Sequence, residues 1–179
     1  SHVCDELYPS SARLWNELIN RRVLTSQGAA ARRNLIEAML THAAQAELGI
    51  TGYPPERSMY ESVLRASGLH AAVGLSGWKF SEPSDKDPLH LRPMWQAMSD
   101  LVFAAPPEPR SVKVLFQRLS APPYGVTAGV APVLLCAFLI VNRDETTLYA
   151  EGSLVSEPAI ARWEVLMRRP KLCADHGGR

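Results

Sequence analysis

The longest apolar stretch of the sequence, 126–141, constrains the fold more than any other segment. It contains no charged residue, and Thr127 supplies its only hydroxyl group. A helix that is apolar on every side has to be buried, either in a protein core or in a membrane. The stretch is shorter than the roughly 20 residues that a bilayer-spanning helix needs, and it contains Pro132. We therefore expect a buried core helix and no association with a membrane.

The rest of the chain is divided into short elements by 14 prolines and 11 glycines. Apolar periodicity and capping residues predict helices over 9–22, 25–46, 55–67, 91–104, 109–120, 127–141 and 157–168. Alternating residues predict a small β-hairpin at 146–149 and 153–155, and short strands at 78–80 and 171–173. The sequence thus predicts a mainly α fold with a minor α+β component. A helical subdomain (3–70) is followed by an irregular connection (71–88) and a winged-helix-like subdomain (89–175).

The order of elements over 109–155 is helix, tight turn, helix and β-hairpin, which is typical of a helix-turn-helix with a wing. In a DNA reader, the second helix presents polar side chains to base edges in the major groove. Here that helix is the apolar 127–141 segment, so direct base readout by it is not expected. Only Asn142 and Arg143, at the end of this helix, could reach nucleic acid. A core helix used for packing is the favoured interpretation.

Basic residues occur in small local groups rather than in one long run. The candidates for phosphate contact, besides Asn142 and Arg143, are Arg21, Arg22, Arg32, Arg33, Arg168, Arg169 and Lys171. The first four are favoured because they flank one loop. A solvated face with local ion pairs is the favoured interpretation of all these groups. With 19 basic and 18 acidic residues, the net charge is +1, so nonspecific binding to nucleic acid is expected to be weak.

Motifs for catalysis or metal binding are missing from the sequence. It contains no GxxxxGK[ST], GxSxG or HExxH motif, and its three cysteines and five histidines are widely scattered. Asp85, Asp87 and His90 lie close together in a loop, where a turn and helix-cap role is favoured over a catalytic one. We therefore expect no enzyme activity, cofactor or metal in this segment. The odd cysteine count favours a reduced, cytoplasmic setting.

Three stretches together resemble a known class of protein. They are NELINRR at 16–22, LGITGYPPERSMYESVLRASGLH at 48–70, and LSAPPYGVTAGVAPVLLCAFLI at 119–140 followed by LYAEGSLV at 148–155. They are similar to a region of large bacterial P-loop ATPases of phage-defence islands, of the phage growth limitation and BREX type. The resemblance covers roughly 5–175 and implies helical and winged-helix-like segments outside the ATPase core. It transfers nucleotide binding to no residue, because the Walker motifs are absent here.

Two functions from different classes follow as expectations. The first is a non-catalytic accessory module of a large bacterial ATPase in antiviral defence. Its partners would be the rest of the ATPase chain, other defence proteins, or DNA through phosphate contacts. The absence of an initial Met and the Gly177-Gly178-Arg179 end favour a fragment of a larger protein. The second is a freestanding winged-helix regulator that binds DNA. An enzyme whose site assembles only in space stays open as a third possibility.

Overall fold

The computed structural model describes residues 25–75, 77–104, 110–150, 153–155, 163–164, 167 and 170–174. The predicted helix 9–22 and most of the predicted helix 157–168 lie outside these residues. For Arg110 and the strand residues 147–150, 153–155 and 170–174, the backbone alone is described. All statements below refer to this part of the chain.

The first described helix, α1 (Ser26–Thr41), begins where the sequence predicts it to begin. The Thr25 hydroxyl accepts a hydrogen bond from the backbone N–H of Gly28 at 3.1 Å, which caps the first turn. Leu35 and Met39, one turn apart, are fully buried. The helix ends at Thr41, several residues before the end that the sequence predicts.

A left-handed turn (Ala46–Gly49) replaces the predicted end of α1. Its three residues Glu47, Leu48 and Gly49 have φ angles of 51°, 56° and 68°. Left-handed backbone is unfavourable for residues with a Cβ atom, so tertiary contacts have to hold it. The buried Leu48 side chain supplies one of these contacts, and ion pairs of Glu47 supply others.

The second helical segment starts at Pro55, as predicted, but changes its winding after one turn. Helix α2 (Pro55–Met59) continues as a π-helical segment (Tyr60–Arg65), and Gly68 then turns the chain with a φ of 75°. The wider winding still buries Tyr60, Val63 and Leu64 completely.

Residues 70–80 form a β-hairpin where the sequence predicts only one short strand. Strand β1 (His70–Ala72) pairs antiparallel with β2 (Trp78–Phe80), with His70 opposite Phe80. The β2 strand confirms the prediction for Trp78–Phe80. Strand β1 was missed because the sequence His-Ala-Ala carries little β propensity and no alternation of apolar and polar residues.

The second half contains the predicted helix, turn, helix and hairpin. Its helices are α3 (Arg92–Val102), α4 (Val112–Ser120) and α5 (Ala131–Val141). Helices α4 and α5 are each a few residues shorter at the start than predicted. Before α4, the two-residue strand β3 (Arg110–Ser111) takes the place of the first helical residues, and before α5 a turn occupies 128–130.

A four-stranded antiparallel sheet completes the second half. The hairpin strands are β4 (Thr146–Ala150) and β5 (Ser153–Val155), as predicted, and β6 (Pro170–Ala174) contains the predicted closing strand. The order in the sheet is β3-β6-β4-β5, so the last strand of the chain lies between β3 and the hairpin. The sheet is therefore larger than a wing made of one hairpin.

One hydrophobic core contains side chains from both halves of the chain. Leu35 of α1 and Tyr60 belong to the same cluster as Met98 of α3 and Leu134 of α5. The fold is mainly α with a small β component, as predicted. The subdomain limits 3–70, 71–88 and 89–175 remain a prediction. Within the described part of the chain, no helix has the length and apolar character that crossing a membrane requires.

Candidate functional site

Helix α5 occupies the position that reads DNA in a helix-turn-helix, and it is buried on all sides. Every residue from Ala131 to Leu139 is buried, and several side chains have no exposed surface at all. Phe138 packs edge-on against Trp95, with ring centroids 5.2 Å apart. A helix surrounded by protein in this way cannot enter a groove of DNA, which agrees with the interpretation of 127–141 as a packing helix.

The two candidate residues after α5 have different surroundings. The Asn142 side chain donates a hydrogen bond to the Phe138 carbonyl at 2.8 Å, while the Asn142 carbonyl accepts one from the Thr146 hydroxyl. Asn142 therefore closes the end of α5 and leads into β4. Arg143 is exposed. Of this pair, Arg143 is the residue whose side chain is placed to meet a ligand from solvent.

Arg32 connects α1 to the turn that precedes α5. Its guanidinium Nη1 donates to the carbonyl oxygens of Ala128 and Gly129, at 3.2 and 3.5 Å. The side chain is half-buried, and burial lowers the pKa of Arg32 from its ordinary value. Charge-assisted bonds to carbonyls in a half-buried position are the typical pattern of an arginine that holds two elements together. This residue thus supports the packing of α1 on α5.

Arg33, the next residue, points elsewhere and forms an ion pair with Glu164 in the segment after the hairpin. The Glu164 carboxylate raises the pKa of Arg33, by its hydrogen bond first and its charge second. Both side chains are about half exposed, so this pair is screened by solvent. The structure therefore separates the two neighbouring arginines, which were predicted to act together, into different contacts.

The side chains of the other candidate residues are not described. Arg21, Arg22, Arg168 and Arg169 lie outside the described residues, and Lys171 lies in β6, where the backbone alone is described. Lys171 pairs in register with Ser111 of β3 on one side and with Tyr149 of β4 on the other. Its position is therefore within the sheet and not at an edge of it.

We expect Arg32→Ala to lower the free energy of unfolding by about 1 kcal/mol, because a charge-assisted bond to two carbonyls is lost from a half-buried site. Arg33→Ala is the matched control, since it removes the same side chain from an exposed position on the same helix. Urea denaturation of both variants and the parent protein measures the difference. An equal or larger loss for Arg33→Ala would contradict the role assigned to Arg32.

The acidic loop before α3 was predicted to form a turn and a helix cap, and Asp87 holds the turn. Its carboxylate is buried and accepts hydrogen bonds from the backbone N–H groups of Leu89 and Leu91, at 2.9 and 2.7 Å. Leu89 lies in the turn and Leu91 directly precedes α3, whereas no described side chain caps the first turn of the helix itself. Asp85 is largely exposed. These hydrogen bonds give Asp87 a structural role.

A charge cluster that the sequence analysis missed surrounds the left-handed turn. Arg57 donates to the Glu47 carboxylate at 2.7 Å, to the Glu61 carboxylate at 3.0 Å and to the Ile50 carbonyl at 3.0 Å. Arg65 reaches the other oxygen of Glu47 at 2.9 Å. The spacing of Arg57 and Glu61 by four residues is the one local signal of this cluster in the sequence. Its contacts fix the turn against α2.

Tyr60 and His70 form a buried polar pair between the π-helical segment and strand β1. The Tyr60 hydroxyl lies 2.9 Å from Nδ1 of His70, and Nε2 of His70 lies 2.9 Å from the Ala43 carbonyl. The imidazole also contacts the rings of Trp78 and Phe80, with centroids 5.2 and 4.7 Å away. Burial lowers the pKa of His70, and the Ala43 carbonyl opposes this shift. The imidazole is therefore neutral near pH 7.

The described residues contain no group of three or more His, Cys, Asp or Glu side chains that is arranged to hold a metal ion. Comparisons of the chain with protein-family models, with curated proteins and with solved structures find no match. The arguments on function below therefore rest on the residues and their geometry.

Proposed function

We propose that the chain is a non-catalytic accessory module of a larger bacterial P-loop ATPase, with a role in phage defence and a cytoplasmic location. In this proposal the module docks the rest of the ATPase chain or another defence protein. The observation that carries the docking role is the burial of α5 from Ala131 to Leu139. Because α5 is buried, it cannot contact bases, and the helix-turn-helix elements would then serve as a packing scaffold.

The contacts that the described candidate residues make within the protein favour a protein partner over DNA. Arg32 is committed to backbone carbonyls, Arg33 to a carboxylate, and Asn142 to a helix end. Phosphate contacts by these groups would have to replace bonds within the protein, whereas DNA-binding proteins use free basic groups for this purpose. Exposed apolar side chains such as Tyr53 and Leu75 offer contacts of the kind that protein interfaces use.

The second candidate function is a freestanding winged-helix regulator that binds DNA. One observation favours it: Arg143 is exposed and lies three residues before strand β4 of the hairpin that would form the wing. A wing can contact phosphates even where the second helix is buried. In this case Arg143 would be the described residue with the largest share in the binding.

Titration of a fluorescent DNA duplex with the protein at low salt, followed by anisotropy, distinguishes the two functions. The accessory-module proposal predicts no saturable binding. The regulator predicts binding that weakens with salt, and Arg143→Ala would then lower the affinity and reduce the salt slope by about one. Lys113→Ala is the matched control, because Lys113 is an exposed cation on α4.

The ATPase part of the proposal has its own check. The native gene product, identified by mass spectrometry, is expected to be longer than 179 residues and to carry a P-loop outside this segment. A native product of this length without a P-loop would overturn the accessory-module proposal, whatever the DNA titration shows.

A further inference from the structure

We propose that His70 makes the hairpin of β1 and β2 an acid-sensitive element, which is closed over the π-helical segment at neutral pH and opens locally when the imidazole takes up a proton. The inference is independent of the proposed function. It depends on the hydrogen bonds of the imidazole, on its burial, and on the small size of the hairpin.

In the neutral state, the His70 imidazole fits its hydrogen bonds as a single tautomer. The Ala43 carbonyl is an acceptor only, so Nε2 has to carry the proton and donate it at 2.9 Å. Nδ1 is then an acceptor, and the Tyr60 hydroxyl donates to it at 2.9 Å. Burial raises the pKa of Tyr60 to about 12, so this hydroxyl keeps its proton throughout the acidic and neutral range.

Protonation of His70 disrupts this arrangement at one atom. The new proton on Nδ1 faces the Tyr60 oxygen, so the hydroxyl has to rotate and lose its own acceptor. The imidazolium charge would also remain buried, because His70 is 1% exposed and lies against the rings of Trp78 and Phe80. A buried charge without a carboxylate partner is strongly unfavourable, so the protonated state favours a conformation in which the imidazole meets water.

The elements packed around His70 face it with neutral groups. Strand β2 contributes Trp78 and Phe80, and its Lys79 is exposed. Helix α5, which packs against β2, carries no charged residue. The charged residues of this region surround the Tyr60 hydroxyl and are joined in ion pairs with each other: Glu47, Arg57, Glu61 and Arg65. His42 is exposed on the segment that leads to Ala43.

The hairpin is small enough to open without unfolding the rest of the chain. Its strands have three residues each, and an isolated two-stranded hairpin is marginally stable in water. Its tip is exposed, with Val73 at 36% and Leu75 fully accessible. Short elements with exposed ends are the ones that open at the lowest free energy. The contacts of His70 with Tyr60 and Ala43 are therefore important for keeping the hairpin closed.

The direction of the pH dependence follows from the lowered pKa of His70. In the open hairpin the imidazole has an ordinary pKa of about 6.5, so above this pH both states are neutral and the closed state is fully favoured. Below about pH 6.5 the open state binds a proton that the closed state excludes. The opening equilibrium then rises by up to about tenfold per pH unit, until the pH reaches the lowered pKa of the closed state.

Amide hydrogen exchange tests the proposal when protection factors are measured residue by residue from about pH 7.5 to about pH 5.5. The reporters are the N–H groups of Val73 and Ser81, which bond to Gly77 and Leu69. The reference is the N–H of Asn142 at the end of α5. We expect the protection of the two reporters to fall by about tenfold while that of the reference is retained. An equal fall at all three amides would mean global acid unfolding and would overturn the proposal.

Three variants assign the effect to His70. His70→Phe keeps an aromatic ring among its neighbours and should abolish the pH-dependent loss of protection. Tyr60→Phe removes the donor to Nδ1, which disfavours the neutral imidazole in the closed hairpin and brings the pKa of the closed state nearer to that of the open state. The loss of protection should therefore become smaller, with its onset unchanged. The matched control His42→Gln changes an exposed histidine nearby and should behave like the parent protein. Loss of protection that persists in His70→Phe would overturn the proposal. If His70→Phe does not fold, an undiminished loss in Tyr60→Phe would overturn it equally.

Discussion

Replacement of Ala137 by aspartate is expected to unfold the second half of the chain, or to lower the free energy of unfolding by about 3 to 5 kcal/mol. Ala137 has no exposed surface and lies in the part of α5 where every residue is buried. A carboxylate at this position is cut off from water, so it carries the penalty of a buried charge. Since single domains have about 5 to 15 kcal/mol of stability, a loss of this size removes much of the total.

Two further variants separate the charge from other effects of the substitution at Ala137. Ala137→Asn introduces a side chain of nearly the same volume as Ala137→Asp but without its charge, so it should be less destabilising. Ala30→Asp places the same residue near the N-terminal end of α1, where Ala30 is exposed and the carboxylate meets water. Circular dichroism during thermal and urea denaturation compares all three. If Ala137→Asp loses no more stability than Ala30→Asp, helix α5 is not buried all round.

The elements that were predicted well have a signal within their own sequence. The apolar run of 126–141 has to be buried in any soluble fold, whichever side chains surround it. The amphipathic spacing of Met94, Trp95 and Met98 similarly identifies the buried face of α3 without knowledge of its partner. The hairpin of β4 and β5 is recognisable because the sequence places a glycine, Gly152, between two β-rich stretches. Local pattern was sufficient in these three cases.

The elements that were missed depend on residues distant in the sequence. Strand β1 is held by β2 and by the bond of His70 to Ala43, which lies 27 positions earlier. The left-handed backbone at Glu47 depends on ion pairs with two arginines of the next helical segment. No propensity for such a turn is visible in the residues themselves. Sequence reasoning therefore extended α1 too far along the chain and described 71–88 as an irregular connection.

The side-chain partners in the candidate site were also not predictable from local sequence. Arg32 and Arg33 are adjacent in sequence, but successive residues of a helix point about 100° apart, so they meet different partners. These partners, the turn at Ala128 and Glu164, lie 96 and 131 positions further along the chain. Both were favoured among the candidates for phosphate contact because they flank one loop, whereas the fold uses Arg32 to join two helices and Arg33 in a surface ion pair.

Replacement of Asp87 by alanine is expected to lower the free energy of unfolding by about 2 to 4 kcal/mol, because it leaves two backbone donors without their charged acceptor. The carboxylate is 5% exposed, and both of its oxygens are used, one by the N–H of Leu89 and the other by the N–H of Leu91. Leu91 has no exposed surface. Water therefore cannot easily replace the lost acceptor at this N–H group.

Asp85→Ala is the matched control for Asp87→Ala, since it removes the same side chain two positions away. The Asp85 carboxylate is 91% exposed, and its oxygen lies 3.7 Å from Nε of Arg92, so little stability depends on it. Asp87→Asn retains one acceptor oxygen and should fall between the two. Urea denaturation of the three variants measures the order. If Asp85→Ala proves as costly as Asp87→Ala, the stability of this loop resides in the ion pair with Arg92, and the hydrogen bonds of Asp87 in the turn before α3 contribute little.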